Sequence, residues 1–254
     1  MSDPTPQPGP FACLDTALRF LTTVPLPWPA PKHIMGGIAA ALGYFPVVGA
    51  IIGGLLLGVG WFAGLWWTPL TQAALLLVAW GVLSGGLHLD GLSDTFDAIM
   101  SWHPRERKLA IMKDSRIGAM GALAISSVLL LKLVFLADTG ANWWRAVLIA
   151  PILGRWAMLV VTTQFPAARP DGLGRSVQGQ LGRPQLLVIS TGVALVAVAL
   201  AGVGGLVAVL LAGAGAQFLG HWWTRELGGL TGDTYGAVCE LTEVLALAVL
   251  SAAG

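Results

Sequence analysis

The sequence predicts an all-α fold: a polytopic integral membrane bundle of about seven transmembrane helices, preceded by an interfacial amphipathic helix. Three observations predict it. Of 254 residues, 56% are hydrophobic and only 11% charged, against about a quarter charged in soluble domains; the mean hydropathy is +0.76. Several apolar stretches reach the ~20 residues that cross a hydrocarbon core. The 34 glycines fit close packing of helices in lipid. One membrane domain is expected over residues 1–254, with a cytoplasmic or interfacial segment at 1–42 and the bundle at 43–252.

Taken in order, Phe11, Leu14, Leu18 and Leu21 recur at helical spacing, with Asp15 and Arg19 on other faces, which predicts a short helix lying on the membrane. Pro25, Pro27, Pro29 and Pro31 end it, since proline cannot donate the backbone hydrogen bond a continuing helix needs. The proline-rich start has no basic cluster ahead of an apolar core, so it does not read as a cleaved signal peptide. Spans are then expected near 43–67, 70–93, 119–137, 144–163, 185–201, 203–224 and 234–252, the fifth and sixth divided only by a break near Gly202.

The basic residues orient them. Arg19 and Lys32, then Arg105, Arg107, Lys108, Lys113 and Arg116, then Arg169, Arg175 and Arg183, and finally Arg225 all fall on one side. Only Arg145 falls on the other, and Lys132 and Arg155 lie within spans. The positive-inside rule makes the rich side cytoplasmic. A net charge of +1 without a basic tract gives no indication of nucleic acid, and Cys13 and Cys239 have no spacing that would mark a zinc site or a disulfide framework.

The most informative stretch runs from Gly85 to Asp97. Asp90, Asp94 and Asp97 are spaced i, i+4 and i+7, within an arc of about 60° on a helix turning about 100° per residue. Adjacent carboxylates repel, and hard oxygen donors favour Mg²⁺ or Mn²⁺. His88 faces elsewhere, as ligand or as a partner to one. A second acidic group comes from the last span, where Asp233 and Glu240 are seven apart and nearly eclipsed and Glu243 lies deeper. Asp233, between Gly232 and Thr234, reads as a metal or polar ligand. For Glu243, an ion pair with Arg155 at similar depth and a contact to substrate stand open side by side. Lys132 is expected to snorkel or pair.

Lys113, Asp114, Ser115 and Arg116 lead into the third span and can bring a guanidinium to the carboxylates, and Arg suits bidentate contact with phosphate. Arg175 and Ser176 offer a further phosphate contact from another loop. Arg105, Arg107 and Lys108 read as a positive-inside anchor. Carboxylates that can hold a divalent metal, with cations beside them at one membrane face, meet the needs of phosphoryl-group transfer.

These residues carry a resemblance. Phe20-Leu-Thr-Thr-Val-Pro-Leu-Pro27, Phe45-Pro-Val-Val-Gly49, Gly86-Leu-His-Leu-Asp-Gly-Leu-Ser-Asp-Thr-Phe-Asp97, Ile111-Met-Lys-Asp-Ser-Arg-Ile-Gly118 and Gly229-Leu-Thr-Gly-Asp-Thr-Tyr-Gly-Ala-Val-Cys-Glu240 together resemble the cobalamin synthase family, the adenosylcobinamide-GDP ribazoletransferases. Ser93 stands where that family commonly has Ala, and Ala98 where Gly is common. The resemblance implies an Mg²⁺-dependent enzyme of the bacterial cytoplasmic membrane. In the last assembly step of the cobalamin nucleotide loop, a hydroxyl of α-ribazole or its 5′-phosphate attacks the cobinamide-linked phosphate and GMP leaves. On that reaction, Asp90 and Asp94 are expected as metal ligands, Asp97 as ligand or general base, and Asp233 with Glu240 as the rest of the acidic pocket. Lys113, Asp114, Arg116, Arg175 and Ser176 are expected at the substrate phosphates, with His88 and Arg155 also at the substrate. The implied partners are the two small-molecule substrates, the lipid bilayer and, by conjecture, other enzymes of the route.

Two other readings predict different patterns. CDP-alcohol phosphotransferases need Asp-Gly-x-x-Ala-Arg with later acids at longer spacing, whereas Ser93-Asp94 occupies the Ala-Arg place and Asp97 comes too soon. A transporter for a divalent ion or corrinoid predicts acids spread through the membrane depth.

Overall fold

A computed structural model of the protein describes residues 9–30 and 34–253; Pro31 and Lys32, used above, lie outside them. Eleven α-helices are present among the described residues: α1 (Pro10–Leu21), α2 (Ile34–Ala41), α3 (Phe45–Gly64), α4 (Pro69–Ser84), α5 (Leu87–Ile99), α6 (Arg105–Ile111), α7 (Ala119–Asp138), α8 (Trp143–Gln164), α9 (Leu173–Val177), α10 (Arg183–Leu227) and α11 (Gly232–Ala252). They contain no named strand; one isolated bridge joins Ala167 and Leu230.

Five helices are long and apolar enough to cross a bilayer, or six if the bent pair α4 and α5 forms one span. The longest is two helices in one. At ~1.5 Å per residue, 45 straight residues would reach about 67 Å, twice the ~30 Å of hydrocarbon. Gly202 breaks the run with φ 56° and ψ −130°, and a Cβ placed on Gly205 would collide with the carbonyl of Ala197. Residues eight apart in a straight helix are ~12 Å apart along the axis, so the chain doubles back at Gly202, as the break expected there requires. Counting both halves gives six segments long and apolar enough to cross, and seven if α4 and α5 are taken together. Their outward side chains, including Leu187, Val188, Leu195, Val203 and Leu210, are exposed, as lipid-facing positions should be.

The second expected span, 70–93, is corrected. It is not one helix: α4 ends at Ser84 and α5 leaves it at 89°. Gly85 and Gly86 both take positive φ, 61° and 68°, which glycine adopts without the Cβ penalty other residues meet. Gly85 is the left-handed cap of α4. All three acids of the motif therefore sit on a separate short helix that crosses the end of the bundle.

The amino-terminal segment also differs in detail. A helix forms at α1, but its buried side is Cys13, Asp15, Thr16, Ala17 and Leu21, while Phe11 is exposed. Asp15 is satisfied locally, accepting from Arg19 Nε and from Trp28 Nε1, both at 2.9 Å. Helix appears before the expected start of the first span as α2. Pro46 cannot donate to the carbonyl four residues back, and a 3-10 turn at Leu42–Tyr44 joins α2 to α3.

Helix α8 is the centre, buried on nearly every face. Glycines set its crossings. A Cβ on Gly53 would lie 2.8 Å from the Val147 carbonyl oxygen, and one on Gly154 would lie 2.8 Å from Cys239 Sγ. So α3 and α11 both approach α8 at distances only glycine permits.

Two loops are pinned together at the end where α5 lies. Ala168 N donates to Leu230 O and Leu230 N to Pro166 O, each at 2.8 Å. Arg105, expected only as a membrane-surface anchor, donates from Nε to Leu227 O at 2.6 Å and from Nη2 to Ala168 O at 2.8 Å. Lys108 is buried and pairs with Glu226. Arg105→Ala is expected to lower stability by up to about 2 kcal/mol, the scale of charged hydrogen bonds. Hydrogen exchange should then speed up at 166–169 and 227–231; unchanged exchange there would show that the clamp is dispensable.

Candidate active site

Helix α5 meets the start of α11 at a crossing of glycines. A Cβ on Gly91 would be 2.7 Å from the Asp233 carbonyl oxygen, and one on Gly236 would be 3.1 Å from His88 Cα. This approach sets the acids of the two helices side by side. Asp94 lies within electrostatic reach of Asp90, Asp233 and Asp97, and of one cation, Arg169. Asp233 in turn feels Arg169 and Asp90. The position of Asp233 is fixed by a capping box, in which the Thr231 hydroxyl accepts from Thr234 N and the Thr234 hydroxyl accepts from Thr231 N. Thr231 also donates to Asp233 Oδ2 at 3.3 Å.

Beside this crossing is a cavity of about 250 Å³. Asp90, Asp233 and Arg169 line it together with His88, Thr162 and Tyr235, and its remaining wall is mostly apolar, including Phe20, Phe45 and Met158. Arg169 went unassigned in the sequence because nothing in its local pattern marks it. Only the pinned loops carry it from the end of α8 to Asp233. It donates to Leu109 O at 2.9 Å, and its Nε is buried without a partner. Tyr235 and Thr162 were likewise unassigned, since a lone hydroxyl in an apolar helix has no distinguishing spacing.

Two expected members of the acidic pocket sit elsewhere. Asp97 accepts from Gly118 N at 2.7 Å and from Gly121 N at 2.8 Å, so both of its oxygens cap the amino terminus of α7, where unpaired N–H groups and the helix dipole favour an anion. Glu240 is 3% exposed and pairs with Lys132 at 2.7 Å. Seven residues keep it on the Asp233 face but move it ~10 Å along the axis, too far to share an ion whose ligands stand ~2.0–2.6 Å away.

Glu240 belongs to a buried ionic cluster. Lys132 also pairs with Glu243, and Glu243 with Arg155. Cys239 Sγ is 3.7 Å from Glu243 Oε1, and Lys132 Nζ stands 4.7 Å over the Trp80 ring. The two cations and two carboxylates sum to zero. Of the two readings left open for Glu243, the ion pair with Arg155 is what forms. Arg155 itself is fully buried and does not line the cavity; it reaches the cavity only through His88, with Nη2 3.4 Å from Nδ1.

The remaining expected substrate contacts are at the surface. Arg116 and Asp114 form an exposed pair at 2.6 Å, in which Arg116 pulls the Asp114 carboxyl down to about 2. They line a shallow hollow with Asp97 and Gly118, separate from the main cavity. Lys113 is exposed nearby. Arg175 is exposed and donates to Gln178 at 3.0 Å, while Ser176 donates to Leu173 O at 2.9 Å. Both come from α9, whose Leu173 and Val177 wall the main cavity.

Oxygen donors in excess of cations fit a hard divalent ion chemically, with Asp90, Asp94 and Asp233 as the set the fold brings together. Among the described residues, no three acidic, His or Cys side chains are placed so as to hold a metal ion together. The crossing itself is testable. Gly91→Ala should force α5 and α11 apart at a cost of about 1–3 kcal/mol, as overpacking does, and should lower activity more than the equally conservative Gly81→Ala, since Gly81 has open space around it. Equal effects would show that the close approach is incidental.

A family model described as cobalamin-5-phosphate synthase matches residues 14–251. A curated protein of Roseiflexus sp. (strain RS-1), named adenosylcobinamide-GDP ribazoletransferase, is 53% identical over 243 residues, covering 96% of this chain and 90% of that protein. Proteins of the same name from Herpetosiphon aurantiacus and Pseudomonas syringae pv. syringae are 43% and 40% identical, covering 94% and 92% of this chain and 96% and 97% of theirs. No solved structure matches the chain. A match running from α1 to the end of α11, with every element of the cavity inside it, means that the chain belongs to the cobalamin-5-phosphate synthase family.

Proposed function

We propose that the protein is an adenosylcobinamide-GDP ribazoletransferase, joining adenosylcobinamide-GDP to α-ribazole or its 5′-phosphate with release of GMP. The observation that carries this reading is the meeting of Asp90, Asp94 and Asp233 with Arg169 beside one cavity. A ribazole hydroxyl oxygen forms a bond to the cobinamide-linked phosphorus, the bond from that phosphorus to the GMP oxygen breaks, and the hydroxyl proton passes to a carboxylate. Asp94, beside Asp90 and Asp233, takes that proton in place of Asp97, whose oxygens are engaged by α7. Arg169 neutralises pyrophosphate charge at the cavity. Asp90 and Asp233, with Asp94, are the residues that would hold Mg²⁺. Bound there, the metal would supply positive charge to the phosphate oxygens as GMP departs.

The excess of Lys and Arg in the loops at this end supports an active site that opens to the cytoplasmic face of a bacterial inner membrane. Arg116 and Arg175, exposed around the same end, are available to the larger substrate. Purified protein in nanodiscs, given adenosylcobinamide-GDP, α-ribazole and Mg²⁺, is expected to release GMP and form a joined corrinoid product. Corrinoid or ion uptake into proteoliposomes without GMP release would favour the transporter instead.

A further inference from the structure

One residue that lines the cavity carries a donor that nothing in the protein satisfies. His88 is 1% exposed and lines it. Its Nδ1 faces Arg155 Nη2 at 3.4 Å. A guanidinium only donates, so Nδ1 accepts and the ring proton is carried on Nε2. That Nε2 is buried without a hydrogen-bond partner, a state that costs free energy unless a ligand fills it. The ionic cluster fixes this tautomer from behind, through Glu243 and Arg155.

The other hydroxyls of the cavity are already engaged. Thr162 donates to Met158 O at 2.7 Å, and Tyr235 is hydrogen-bonded to Thr162. The interior therefore presents apolar and aromatic wall, two committed hydroxyls and the unused N–H of His88, with carboxylates and Arg169, whose Nε is also without a partner, as its charged side. A volume of about 250 Å³ is below the ~300–1,000 Å³ that encloses a whole drug-sized ligand. It holds one small ring system, not a corrin or a complete nucleotide. A guanine would need the carboxylates and Arg169 for its own donors and acceptors, the groups that the transferase reading gives to the reaction.

Resting on the transferase reading above, we infer that this cavity is the subsite for the benzimidazole of α-ribazole, and that His88 Nε2–H donates to the one unsubstituted ring nitrogen of that base. The base is flat and apolar and carries a single acceptor, matching an apolar wall whose unused donor, away from the charged side that holds Arg169, is the N–H of His88. Seated there, its ribose emerges toward Asp90 and Asp233, bringing the attacking hydroxyl to the acidic side of the cavity.

The test compares α-ribazole with its analogue in which that ring nitrogen is replaced by C–H, an indole riboside. Wild-type protein and the His88→Phe and His88→Gln variants would be followed by GMP release, and by ligand fluorescence on binding without adenosylcobinamide-GDP. Wild type is expected to favour α-ribazole about tenfold, mainly through KM, the scale of one neutral hydrogen bond. His88→Phe should erase the preference and His88→Gln keep part of it, with KM for adenosylcobinamide-GDP unmoved. Equal use of both nucleosides by wild type, a preference that survives His88→Phe, or a KM change confined to adenosylcobinamide-GDP would each overturn the subsite. The first of these needs no variant to fold. If wild type released no GMP with either nucleoside, the transferase reading would fail and the subsite with it.

Discussion

Asp94→Asn is expected to lower turnover by at least about 10²-fold, the loss that follows removal of a group acting on transition-state charge, while leaving thermal stability unchanged or slightly raised. The stability half follows from the neighbourhood. Asp94 faces three other carboxylates and one guanidinium, so neutralising it relieves more repulsion than attraction it forfeits. Asp233→Asn should behave alike, apart from a small loss at its bond with Thr231. Asp97→Asn should show the reverse balance. An amide offers one acceptor where the carboxylate serves both Gly118 N and Gly121 N, so the melting temperature should fall with the loss of about 1–2 kcal/mol of capping. Activity should then fall only through the displacement of α7. Assays of GMP release beside melting curves in detergent separate the two classes. Near-wild-type turnover for Asp94→Asn would remove it from the chemistry.

The largest effect on stability is expected at the buried ionic cluster. Glu243→Gln leaves Arg155, which has no exposure, facing His88 and Cys239 without its carboxylate partner, and breaks one of the two pairs of Lys132. Stranding a buried charge costs about 3–5 kcal/mol, enough to abolish folding of a marginal membrane protein. The double variant Arg155→Met/Glu243→Gln removes one charge of each sign and keeps the Lys132 pair with Glu240. It should recover most of that loss, because a neutral replacement for a whole buried pair is often tolerated. It should also leave His88 Nδ1 without its donor, so a well-folded double variant with altered α-ribazole affinity is the expected result. Additive losses in the two single variants would show that the groups do not act as a cluster.

Much of this architecture could be read from sequence because lipid makes composition decisive. Length and hydropathy located the crossings, and Gly202 marked the one turn between two apolar halves. What composition could not show was direction. Gly85-Gly86 occurs inside an apolar run that reads as continuous, and only the positive φ of both residues turns α5 across the bundle. The acids were recognised by the helical face they share, which fixes angle but not height. Asp90 and Asp97, like Asp233 and Glu240, are seven apart and so ~10 Å apart along the axis. Facing the same way, they serve different neighbours. Arg169 was hidden for the opposite reason, since its place depends on the pairing of Ala168 with Leu230, a tertiary event between loops distant in the chain.

The central claim is that carboxylates of α5 and α11 form one cation-binding centre. Mn²⁺ binding to the nanodisc-embedded protein, followed by electron paramagnetic resonance, tests it most directly because it needs neither substrate nor turnover. The account predicts a bound Mn²⁺ that Mg²⁺ displaces, lost in Asp90→Asn and in Asp233→Asn alike and retained in Asp97→Asn. Binding that persists in the first two variants, or that disappears only with Asp97, would contradict it.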